Sequence, residues 1–126
     1  MFKIDGKQNV YITRGDSAIC EVGITDPNFP YEEYELQDGD YLVFTVRAQP
    51  KQIDETNEPL IQKTLAENQI NIVPEDTENL EYGQYYYDVK LFFANGEVNT
   101  IIPSTTGKYF NPVADLPSFY VCEVTN

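Results

Sequence analysis

Short runs of alternating apolar and polar residues recur along the chain, each bounded by turn residues. The clearest runs from Gln84 to Glu97. One parity holds Tyr85, Tyr87, Val89, Leu91 and Phe93, while the other mixes Tyr86 and Phe92 with Asp88 and Lys90. Strand side chains alternate between faces, so this spacing predicts a strand with one apolar and one mixed face. Asn95-Gly96 supplies the two positive-φ residues of a tight hairpin, and Val98 to Ile102 returns as its partner.

The same pattern marks the other elements. Val10 to Thr13 is a strand closed by the turn Arg14-Gly15-Asp16, and Ala18, Cys20, Val22 and Ile24 follow as the inward positions of the next. Asp26-Pro27-Asn28-Phe29-Pro30 breaks that ladder, and the polar connector Tyr31 to Asp40 ends in Asp38-Gly39-Asp40. Tyr41 to Ala48 turns Leu42, Phe44 and Val46 to one face. Gln49 to Glu58 reads as a loop, and Leu60 to Leu65 with Gln69 to Val73 as a hairpin around Ala66-Glu67-Asn68. Pro74 to Leu80 holds the one helical turn, near 75–80: proline suits a first turn, and Glu75, Asp76 and Glu78 complement its dipole. Pro103 to Pro112 is irregular, and Phe119 to Val124 is the last strand.

About seven strands separated by turn signals every roughly 8–12 residues predict an all-β antiparallel sandwich, with a closed barrel as the alternative. The expected core draws on Ala18, Cys20, Val22, Ile24, Leu42, Phe44, Val46, Ile70, Ile72, Tyr85, Tyr87, Val89 and Leu91, with the acids left in solvent. At 126 residues the chain reads as one domain, 1–126, large enough for a core without metals or disulfides.

Charge narrows the partners. Eight basic against 21 acidic residues give a net charge of −13, and no Lys/Arg cluster exists for a nucleic-acid backbone or an anionic membrane. No apolar run approaches the ~20 residues of a membrane span. Met1 to Gly6 lacks the features of a secretory signal, so synthesis and folding in the cytoplasm are expected.

Chemistry is sparse. Without histidine there is no Ser-His or Cys-His pair and no histidine metal site. The remaining catalytic option is a carboxylate pair in a sugar cleft, for which a small domain without Trp is poorly equipped. Asp38-Gly39-Asp40 and Glu32-Glu33-Tyr34-Glu35 lack the regular oxygen spacing of a calcium loop and read as solvated turn carboxylates. Arg14-Gly15-Asp16 matches an integrin-recognition tripeptide but is ordinary turn chemistry. No catalytic, cofactor-binding or metal-binding residue is therefore assigned. Cys20 and Cys122 read either as a long-range disulfide or as two small hydrophobes in a reducing compartment. Tyr86 and Tyr109 are the tyrosines offered to an external ligand, since Tyr85 and Tyr87 share the inward parity.

Several pieces in order carry a resemblance: Thr13 to Ala18, Leu36 to Asp40, Phe44 to Arg47, Pro59 to Lys63, and Pro74 to Leu80 leading into Tyr82 to Val89. This series resembles small Ig-like domains of phages and prophages of Gram-positive bacteria, including the N-terminal module of upper baseplate proteins. It covers roughly residues 10–103, and Glu75-Asp76-Thr77 followed by Tyr82-Gly83-Gln84-Tyr85-Tyr86-Tyr87-Asp88-Val89 is its most distinctive part. The segments 26–35 and 104–118 depart from the family's pattern. The resemblance implies an Ig-like sandwich and a non-enzymatic structural role in a virion tail or baseplate. Its partners would be other virion proteins, with a homo-oligomer as a further assembly. The alternatives are a carbohydrate- or cell-surface-binding module using exposed tyrosines, and a small carboxylate-dependent hydrolase.

Overall fold

The computed structural model describes residues 1–24, 32–50, 57–103 and 116–123. The break expected at 26–30, most of the irregular stretch after Pro103, the middle of the 49–58 loop, Tyr109 and Val124 lie outside them.

The described chain is an all-β sandwich. Its strands are β1 (Phe2–Ile4), β2 (Val10–Thr13), β3 (Ala18–Glu21), β4 (Tyr41–Arg47), β5 (Pro59–Leu65), β6 (Gln69–Ile72), β7 (Gly83–Phe92), β8 (Val98–Ile102) and β9 (Ser118–Cys122), with a single helical turn α1 (Pro74–Thr77). Seven strands form one sheet in the order β1-β2-β9-β7-β4-β5, with β8 also on β7; β3 and β6 form the other. Thus β9-β7-β4-β5 faces β3-β6 as the G-F-C-C′ strands of an Ig-like domain face B and E. Strand β7 is long enough to pair β9 along Gly83–Tyr86 and β8 along Val89–Phe92 on the same side.

Parity behaves as the sequence predicts in the centre. Leu42, Phe44 and Val46 pair with Leu91, Val89 and Tyr87 across β4 and β7, and all six are buried. Phe44, Tyr87 and Phe119 pack with ring centroids 5.8 to 6.4 Å apart. Burial of such side chains contributes roughly 1.5–3 kcal/mol each. The core also takes Val10, Ile12, Ile61 and Val121. Cys20 and Tyr85 are only half-buried. Cys20 lies beside an open cleft, and Tyr85 sits near the start of β7, where its hydroxyl donates to Glu81 O at 2.8 Å in the manner of a tyrosine corner.

Three local expectations are corrected, and one strand is added. Strands β5 and β6 are not a hairpin: among the described residues β5 pairs only with β4 and β6 only with β3, so Ala66-Glu67-Asn68 carries the chain between sheets. The Asn68 side chain holds that crossing, accepting from Leu36 N at 2.9 Å and donating to Tyr34 O at 2.7 Å. The β7–β8 turn has one positive φ, at Gly96 (95°), not two; Gly96 N donates to Phe93 O and Phe93 N to Glu97 O, a longer loop than Asn-Gly alone would make. The sandwich is not wholly antiparallel, because β2 runs parallel to β9. Strand β1 carries no run long enough to be read from alternation, and exists through its pairing with β2.

Candidate functional site

The polar residues of the sequence motifs come first, since they are where chemistry was sought. Arg14-Gly15-Asp16 is a turn with Gly15 at φ 85°, docked onto α1: Gly15 N donates to Thr77 Oγ1 at 2.8 Å, and Thr77 is fully buried. Arg14 lies 4.1 Å over the Tyr82 ring and donates to Leu80 O at 3.5 Å. Lys63 Nζ reaches Asp76 at 2.5 Å and donates to Asn71 O at 2.6 Å. Asp76 in turn accepts from Val73 N at 2.8 Å, capping α1.

Two acids expected in solvent are buried. Asp40 accepts from Ala94 N and Gln37 N at 2.9 Å and from the Tyr34 hydroxyl. The Tyr34 hydrogen bond, helped by the two amides against the cost of burial, lowers its pKa. It therefore pins the Asp38-Gly39-Asp40 turn to the β7–β8 loop. Asp88 points to the outer face of the wide sheet, opposite Thr45, and is 2% exposed. Parity fixes a side chain's face, not its depth, and the middle of a seven-stranded sheet is deep. Burial raises the Asp88 pKa, opposed by Arg47 and Lys90. The nearest Arg47 nitrogen is 3.5 Å away, an ion pair without a hydrogen bond.

Among the described residues no three Cys, Asp or Glu side chains converge as metal ligands. Both cysteines are free thiols, Cys20 on the small sheet and Cys122 on the large one; burial, then Glu21, raises the Cys20 pKa. No helix among the described residues is long and apolar enough to cross a membrane. Tyr86 is half-buried rather than displayed. On the outer face Tyr11 stacks on Tyr120 at 4.7 Å and Tyr41 on Phe92 at 5.0 Å, so each ring spends a face on its neighbour.

The two flanks of the sandwich differ. On the β5 flank, Lys63 shares the parity of Ile61 and Leu65 and so points inward from an edge strand. An inward charge is a common device against edge-to-edge pairing, and here it ties β5 across to β6 and α1. Among the described residues the β3 flank has no such tie. There two strands face seven, and the part of the inner face they leave opens as a cleft of about 750 Å³. Phe44, Tyr87 and Phe119 lie at its floor, β3 and β8 along its walls, and Phe2 and Ile4 at its mouth. Tyr87 donates its hydroxyl to Gln8 O there, holding Gln8 at a positive φ of 67°. Sequence parity gave no warning of this cleft, because it arises from an unequal number of strands in the two layers.

No family model, curated protein or solved structure matches the chain.

Proposed function

We propose that this chain is a non-enzymatic structural and interaction module of a phage or prophage virion, of tail or baseplate type, acting by protein–protein assembly. One observation supports the reading above the others. The polar residues of the motifs that carry the resemblance are spent on one another: Gly15 with Thr77, Arg14 with Tyr82, Lys63 with Asp76, and Arg47 with Asp88. Residues so committed build a framework rather than offering these side chains to a substrate. A module of this kind acts through what the framework leaves unsatisfied, which here is strand edge and apolar surface. The net charge of −13 restrains self-association and favours positively charged partner surfaces.

The test is reconstitution with the virion proteins encoded beside this chain. Size-exclusion chromatography of the mixtures should show it moving into a complex with at least one tail or baseplate component. Elution as a free chain from every mixture would remove the virion reading.

A further inference from the structure

The open flank has a specific geometry. Cys20 to Ile24, five consecutive residues of both parities, line the cleft, so this part of the chain turns its edge toward it rather than one face. Cys20 pairs with Ile70, and Val22 N donates to Asn68 O at 2.8 Å, so even positions bond toward β6. Ile19, Glu21 and Gly23 then direct their N–H and C=O groups to the other edge. No strand among the described residues pairs there; the one contact is a weak donation from Cys20 Sγ to Glu21 O at 3.5 Å. Across the cleft, β8 pairs only with β7 among the described residues and presents its other edge there.

The surroundings define what fits. The floor is aromatic and aliphatic, which suits the alternate side chains of an extended segment. The rim at Glu21 continues into a hollow lined by Glu33, Glu35 and Glu67, and a Cβ built on Gly23 would lie 3.9 Å from the Glu33 carboxylate. Apolar floor, open edge and acidic end occur together.

We infer that this cleft is a docking groove for an extended segment of a partner protein. The segment is apolar at alternate positions, carries Lys or Arg at one end, and adds as a strand to the free edge of β3. The inference rests on the reading of the chain as an assembly module and supplies its partner chemistry. Main-chain hydrogen bonds to Ile19, Glu21 and Gly23 give the affinity, and the carboxylate rim sets polarity and discriminates against acidic segments.

The probe is a synthetic peptide of about nine residues, alternating valine and threonine and closed by a Lys-Lys pair, the length being set by roughly 3.3 Å per residue. Titration into the labelled full chain should be saturable and slow the amide exchange of Ile19, Glu21 and Gly23 at least ~10-fold. A Glu-Glu version, and one N-methylated along its bonding edge, should each bind at least ~10-fold more weakly. Ile4→Lys, at an exposed position in the cleft mouth, should abolish binding, whereas Leu60→Lys, at an exposed position of the opposite edge strand β5, should leave it unchanged. Absence of saturable binding, unchanged exchange at those amides, or equal binding of the acidic or methylated peptide overturns the inference. Peptide binding by a chain that enters no tail complex would keep the groove and remove only the virion reading.

Discussion

Replacing Arg47 by methionine strands the Asp88 carboxylate at a position only 2% exposed. At 3.5 Å and an effective dielectric of ~20, the lost attraction is roughly 5 kcal/mol. The intact pair does not hold that much net stability, since each ion forfeits several kcal/mol of hydration, and Arg47 Nε, Nη1 and Asp88 Oδ2 lack hydrogen bonds to offset it. Breaking the pair and removing it are therefore different perturbations. Arg47→Met should cost about 3–5 kcal/mol at pH 7, whereas Arg47→Met/Asp88→Leu should fall within about 1 kcal/mol of the parent or exceed it. Urea unfolding resolves this, because 3 kcal/mol moves a small domain's midpoint by roughly 1–3 M. The pH dependence supplies a second signature. Burial already raises the Asp88 pKa above its unfolded value, and removing Arg47 removes a cause that opposes the rise. The native single variant then holds its proton more readily than the unfolded chain, so its deficit should shrink as pH falls toward the unfolded carboxylate value of about 4. A single variant as stable as the parent, or a double variant as damaged as the single, would refute the assignment of a buried, nearly break-even pair.

Asp40 responds to pH in the opposite sense. Its pKa is lowered, chiefly by the Tyr34 hydroxyl, so its stabilisation is present above about pH 4 and lost as pH falls through the folded value. Asp40→Asn should cost about 1–3 kcal/mol at pH 7, and thermal melts against pH should show the gap from the parent closing below about pH 4. Gly39→Ala meets both a φ of 90° and a Cβ contact of 2.8 Å with Ala94 Cβ, and should cost about 2–4 kcal/mol by urea unfolding. Placing it in an Ala94→Gly background should recover the steric part and leave about 1–2 kcal/mol of backbone strain. Lys63→Leu should turn the β5 edge into an adhesive one, read as light scattering that rises with protein concentration; a variant as monodisperse as the parent would deny Lys63 that role.

What the sequence discloses is the part of the fold set by local periodicity. Leu42, Phe44, Val46, Tyr87, Val89 and Leu91 announce their faces because each strand alternates within itself, and Gly96 marks its turn because the chain reverses there. Relations between distant segments leave no such trace. The parallel pairing of Val10–Thr13 with Phe119–Cys122 spans nearly the whole chain, and Phe2–Ile4 is a strand only because β2 lies beside it. The separation of β5 from β6 has the same cause: two adjacent alternating runs fit a hairpin as well as a change of sheet. Asp40 and Asp88 were misplaced for another reason. A carboxylate's preference for water is a tendency of single residues, and the Tyr34 and amide donors at one, or the Arg47 charge at the other, appear only once the chain is folded.

The two flanks join the architecture to the proposed role. A wide sheet with a narrow partner has two open sides to manage, and this chain treats them differently. At β5 it directs a lysine inward and anchors it on α1 and β6, which makes that edge a poor template for another strand. Just past β3 it places Gly23, without a side chain, next to an edge that no described strand pairs, and lines the cleft below with apolar residues. An apolar cleft flanked by free edges costs stability and invites aggregation when it has no purpose. A net charge of −13 keeps like molecules apart while leaving the groove open to a cationic strand. Under the proposed role this asymmetry keeps the module separate until its partner arrives, and the proposed contact falls on the side where no lysine turns inward among the described residues.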